Sequence, residues 1–171
     1  MRSIDDFSDS RLKSWCIHCG GWLSDLQCNR DHAPSKAFLL RPYPANLPVM
    51  TVCKPCNSGF SRDEEYMVAI LSAALSGTTD PAAQKMPSAG RVLASNSKLR
   101  ASIERCRTVY RTVGGDERQI WKPDLERIKR VVLKNARGHA FFEIGEPMME
   151  KPSYVNVFPL SALSGSELDE F

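Results

Sequence analysis

No run of apolar residues in this 171-residue chain reaches the roughly 18 to 20 that a helix needs to span a bilayer. A membrane partner is therefore not expected. The opening segment MRSIDDFSDS lacks the apolar core of a secretory signal, which makes a cytoplasmic location the expectation. There is no internal repeat, which sets repeat architectures aside. Net charge is small as well: 23 Lys and Arg against 20 Asp and Glu leave +3, too little to identify a partner. The composition that remains is that of an ordinary soluble domain, 42% hydrophobic. The chain is long enough to bury a core, as one domain or as a small module with an extension.

What the chain does have is concentrated between residues 16 and 65. The segment contains CIHC, then NRDHAPSKAF, then VCKPCNSGFSRDEE. Two Cys-x-x-Cys turns, Cys16/Cys19 and Cys53/Cys56, bracket Asp31-His32, and Asn57 follows the second turn at once. In a reducing compartment such paired turns favour metal over disulfide. Four thiolates from two turns complete a tetrahedral Zn2+ site with no position left for water, so the site is structural. The Asp-His pair has a different chemistry. A carboxylate prefers a hard cation such as Mg2+, and neutral imidazole suits proton abstraction near neutral pH. The two remaining cysteines, Cys28 and Cys106, have no Cys or His at knuckle spacing and read as small buried hydrophobes. His18, inside the first turn, reads as an exposed turn residue, and His139 as a packed or capping residue.

These ordered parts resemble the HNH endonucleases, also called ββα-metal or His-Me finger nucleases, in their four-cysteine zinc form. The resemblance covers the first third to half of the chain. It implies that Asp31 holds a catalytic Mg2+ or Mn2+ ion, that His32 is the general base, and that Asn57 is the second protein ligand to the ion. The family's four-cysteine variant also places an Asn directly after the last cysteine. Many members end the motif with a helical His that this chain lacks, which leaves Asp63 or Glu64 as alternatives to Asn57. The implied substrate is DNA.

Beside such a motif, charge placement gains meaning. Thirteen basic residues between Arg91 and Arg137, Arg127 and Lys134 among them, crowd one segment with few acids, and the tail from residue 141 is mostly acidic. Taken alone they are solvated helix faces; next to a nuclease motif they point to phosphate contacts. Ser35 and Lys36, close to His32, are placed to touch a phosphate or to form an ordinary exposed loop.

The pattern along the chain predicts an α+β fold: a zinc-stabilised ββα-metal HNH module over residues 1–78, then a mainly helical extension over 79–171 with a small hairpin, suited to binding nucleic acid. Ile4, Phe7 and Leu12 mark a short helix or docked arm. Gly20-Gly21 can supply the positive φ of a tight knuckle. A first hairpin is expected from residues 22–23 and 26–30 around Ser24-Asp25, then an irregular Pro-rich loop over 33–48 and a short strand over 49–52. Ser61 and Glu64 have the form of a capping box, opening a helix that runs to Gly77. That helix is apolar nearly all round and must be covered by the rest of the chain. Further expectations are a short helix over 80–85, a break over 86–90, helices over 91–94 and 99–106, and a hairpin from 108–113 and 118–121. A helix from Pro123 or Asp124 should be ended by Gly138, and a strand over 154–158 should precede a frayed end at 164–171.

Two rival functions remain. One is a zinc-dependent module that binds nucleic acid or protein without catalysis and has no need of His32. The other is a phosphoesterase acting on small nucleotides, which would lack a long basic surface. A homodimer is left open.

Overall fold

The computed structural model describes residues 10–157 and Gly165. Expectations for Ile4, Phe7, Phe158 and the frayed end, and for the side chain of Leu12, lie outside what is described. Among the described residues the fold is mixed α and β, with four α-helices and two small antiparallel sheets. In chain order these are β1 (Cys28–His32), β2 (Val49–Cys53), α1 (Lys54–Ser76), α2 (Pro87–Ser95), α3 (Ser97–Glu104), β3 (Arg107–Arg111), β4 (Glu117–Trp121) and α4 (Leu125–Ile144). No helix among the described residues is long and apolar enough to cross a membrane.

The first hairpin differs from the sequence expectation. Strand β1 pairs with β2, in the register Cys28↔Cys53, Asp31↔Met50 and His32↔Val49. Residues 22–23 form no strand with it. Trp22 instead makes a single bridge to Trp15, and Leu23–Asp25 is a 3-10 turn. The cause is long-range: the second cysteine turn must lie beside the first, and this brings β2 against β1. The loop between the strands carries one 3-10 turn, Lys36–Phe38.

Helix α1 begins a full two turns before the capping box. Cys53 is its N-cap and Pro55 lies in its first turn, where a missing N–H costs nothing. Ser61 lies inside the helix, its hydroxyl donating to the Ser58 carbonyl at 3.0 Å. Gly77, at φ 72°, ends the helix as expected. Similarly, Pro87 opens α2 at its N-terminus instead of breaking it. The hairpin β3–β4 and the N-cap of α4 at Asp124 follow the sequence, the Asp124 carboxylate accepting from the backbone N–H groups of Glu126 and Arg127. No strand forms over 154–157.

Gly138 does not end α4, which continues to Gly145 at φ 74°. Its role is close approach. A Cβ there would lie 2.7 Å from the Ala33 Cβ and 3.0 Å from the Met50 Sδ, so only glycine lets α4 sit on the first hairpin.

Two apolar clusters result. The smaller joins Cys16, Ile17, Ala33, Met50, Val52, Cys53 and Phe141; the larger joins Tyr66, Ala69, Ile70, Ala73, Leu93, Ile103 and Ile128. Helix α1 serves both, with Cys56 against the first and its C-terminal half in the second. The cover that its apolar surface requires comes from α2, α3 and α4.

Candidate metal centre and acid-base site

The knuckle of the first cysteine turn is closed by two backbone hydrogen bonds of 2.8 Å, Cys16 N–H to Gly21 C=O and Gly20 N–H to Cys16 C=O, with Gly20 at φ 74°. The second turn spans the N-cap and first turn of α1. Together they bring the four sulfurs of Cys16, Cys19, Cys53 and Cys56 within 4.8 Å of one another. The Cys19 and Cys53 sulfurs are 3.7 Å apart. A tetrahedron with arms of about 2.3 Å has edges of about 3.8 Å, so the donor set fits Zn2+. Burial holds the Cys53 and Cys56 thiols above their ordinary range, whereas at Cys16 hydrogen bonds from the backbone of Cys53, His18 and Cys19 outweigh burial and hold the thiol below it.

Asp31 and His32 end β1. Asp31 is buried, and its Oδ1 accepts from Lys134 Nζ at 2.8 Å and from the His32 backbone N–H at 2.8 Å. Its Oδ2 has no hydrogen-bond partner. Burial alone would raise the Asp31 carboxyl; the His18 ring, facing Oδ2 at 3.7 Å as a polar contact longer than a hydrogen bond, the Lys134 ammonium and the His32 N–H outweigh it and hold the carboxyl below its usual range. Such an oxygen, buried, charged and unpartnered, is a fitting donor for a divalent cation. The His32 ring is half-buried. Burial, with help from Lys36, holds its pKa below the ordinary value, so the imidazole is neutral and proton-accepting near pH 7.

Several side chains were placed wrongly by sequence reasoning, the exposed Cys28 among them. His18 is not an exposed turn residue: its side chain is 2% accessible, with Nε2 3.7 Å from Asp31 Oδ2 and the ring edge-on to Phe60 at 4.9 Å. Lys134 does not face solvent as a phosphate contact would. Its ammonium is buried between Asp31 and Glu64, 2.7 Å from Glu64 Oε1, and also donates to the His32 carbonyl at 3.2 Å. Arg127 is mostly spent on structure as well, donating to Asp63 at 2.6 Å and to the Arg62 carbonyl, over the Tyr66 ring. Asp63 is clamped further by Arg130 at 2.7 Å. Both Asp63 oxygens are thus taken, and Glu64 shares Lys134 through Oε1, while Asn57 sits half-buried in α1 next to Cys56. Cys28 is exposed, its thiol donating to backbone carbonyls, and Cys106 is half-buried. His139 is exposed on α4.

Lys36 remains accessible. It lines a cleft of about 700 Å3 between the 33–48 loop and α2, with Arg41, Tyr43, Leu40, Glu65 and Arg91. Lys36 and Arg41 both lie over the Tyr43 ring, at 5.3 and 5.5 Å. The loop is fixed there by the Ser88 hydroxyl, which donates to the Ala37 carbonyl at 2.7 Å. Among known proteins the chain matches no family model, no curated protein and no solved structure.

Proposed function

We propose that this chain is a metal-dependent endonuclease of the HNH, or ββα-metal, type that hydrolyses phosphodiester bonds in DNA. One observation carries the reading. Asp31-His32 ends the first strand of a hairpin that passes through the second cysteine turn directly into a helix bearing Asn57. In this reading Zn2+ on the four cysteines is structural, and it locks the strand carrying His32 against the helix carrying Asn57. Asp31 and Asn57 would hold Mg2+ or Mn2+, which when bound supplies positive charge to the phosphate and the leaving oxygen. His32 takes the proton from the attacking water, the task for which a neutral imidazole is suited. Lys134 keeps Asp31 ionised and oriented.

The DNA path favoured by the exposed groups is the cleft between the 33–48 loop and α2, not α4. Lys36, Arg41 and Arg91 supply phosphate contacts there, and Tyr43 offers a ring face to an unstacked base.

A second reading is favoured by Lys134. Its ammonium already neutralises one oxygen of Asp31, as it would in a zinc-stabilised module that binds nucleic acid and does no chemistry. His32→Ala separates the two. With Mg2+ or Mn2+ and supercoiled plasmid, the variant is expected to nick about a hundredfold to ten-thousandfold more slowly than the wild type. Zinc content, melting temperature and DNA affinity should be unchanged. A wild-type protein that binds DNA but nicks none with either ion, or an alanine variant that nicks at the wild-type rate, would leave the binding module as the better account.

A further inference from the structure

His18 has no place in the reaction as read above, yet it is among the most enclosed polar side chains of the site. Both of its ring nitrogens are buried without a hydrogen-bond partner, and so is Asp31 Oδ2, the atom that Nε2 faces. The 3.7 Å between them exceeds the range of an N–H···O bond, which ends near roughly 3.2 Å. It is close to the separation of two donors on one cation. Arms of about 2.1 Å at the tetrahedral angle span about 3.4 Å, a few tenths of an ångström short of the observed separation.

The surroundings hold the pair in that relation. Cys16 and Cys19 flank His18 in the knuckle, and the Phe60 ring lies edge-on against the imidazole at 4.9 Å. On the carboxylate, Lys134 and the His32 N–H take Oδ1, which leaves Oδ2 for another partner. The charged groups that meet there are Asp31, Glu64 and Lys134. They sum to −1, attractive to a divalent ion without making a tight trap.

We infer that His18 Nε2 and Asp31 Oδ2 are joint ligands of the second metal ion, and that this ion belongs to the imidazole-accepting class of Mn2+ and Zn2+ and not to Mg2+. Magnesium takes oxygen ligands and keeps its waters, whereas an imidazole donor selects a first-row transition ion. The catalytic meaning of the ion rests on the endonuclease reading; its existence rests on the geometry alone. Lys134 is a positioning residue for it.

The test uses the full chain with its cysteine site loaded with zinc. Mn2+ is titrated and the free ion followed by its electron paramagnetic resonance signal. One Mn2+ per chain is expected, bound at least tenfold more tightly than Mg2+ measured by competition. Spin-echo modulation of bound Mn2+ should show one directly coordinated imidazole nitrogen, a readout that needs no variant. His18→Gln should remove that modulation and weaken Mn2+ at least tenfold, with zinc content retained as the check on folding. Absence of nitrogen modulation in the wild type, or Mn2+ affinity within twofold of wild type in His18→Gln, overturns the inference. Mn2+ held by His18 in a protein that nicks no DNA would sink the endonuclease reading and leave this one standing. Nicking by a protein whose bound Mn2+ shows no imidazole would do the reverse.

Discussion

The described residues form two antiparallel hairpins of five-residue strands, and they are sustained in opposite ways. In β1–β2 one side carries Asp31, Met50 and Val52, all buried, and Cys53 is buried at the strand end. In β3–β4 all but the stem residues are exposed, with Val109, Tyr110 and Ile120 open to solvent. An isolated two-stranded hairpin is marginal in water. The second hairpin holds through its stem, where Cys106 and Trp121 pack on the larger apolar cluster and the Lys122 N–H donates to the Cys106 carbonyl. The first is bound along its length, by the cysteine turns at one end and by α4 at the other. The difference is one of rigidity: side chains on the hairpin tied at both ends are held in fixed positions, and those on the other are not.

The comparison breaks most completely if the cysteine tie is cut. The cluster under β1–β2 is thin, and a structural zinc in a small module contributes apparent free energies of roughly 10 kcal/mol and upward. Cys53→Ser, or chelation of the wild type, is expected to abolish hydrogen-exchange protection of β1 and β2. The helices around Tyr66, Leu93 and Ile103 should keep most of theirs. Equal loss in both regions would mean that the two clusters fold only together.

The second tie is Lys134. Removing its ammonium leaves Asp31 and Glu64 buried and facing without a counter-charge, a change that costs about 3 to 5 kcal/mol when one member of a buried pair is lost. Lys134→Ala should therefore lower stability by that order in denaturant unfolding, with β1 losing protection and β3–β4 retaining it. A cost below about 1 kcal/mol would show that the ammonium is not the clasp.

Much of this was legible in the sequence, because the signals were local. Cysteine spacing marked the four-cysteine cluster, and Asp124 and Gly77 marked helix ends. The failures share one cause. Lys134 looked like a surface charge because its partner Asp31 is 103 residues away, and His18 looked like a turn residue because the groups against its ring, Asp31 and Phe60, come from β1 and α1. Gly138 read as a helix end because its neighbours Ala33 and Met50 are contacts of tertiary packing. Ser61 and Glu64 satisfied a local pattern, yet the turn at Cys53–Cys56 had already started the helix. Which basic residues are free for a phosphate is likewise decided by the acids of α1, and no periodicity reveals it.

The smallest expected effect concerns the clasp between α1 and α4 nearest solvent, Asp63 with Arg127 and Arg130. Burial would raise the Asp63 carboxyl, but the two guanidiniums outweigh it and hold it below its ordinary value of 3.8. A group whose folded pKa is depressed contributes stability that is present above the unfolded value and is lost as pH falls through the folded one. Its contribution should therefore be full above roughly pH 5 and disappear progressively below about 4. The Arg130 side chain is 54% exposed, so solvent screening reduces the sum to about 1 to 2 kcal/mol. Asp63→Asn should be less stable than the wild type by that amount at pH 7. The gap should close as pH drops, since the wild-type carboxyl is then protonated as well. Asp31 is depressed too and titrates in both proteins, so the difference between them isolates Asp63. In hydrogen exchange the substitution should loosen β1–β2, which leans on α4, and leave β3–β4 unchanged. A gap that stays constant from pH 7 to pH 3 would mean that Asp63 acts through packing and not through its charge.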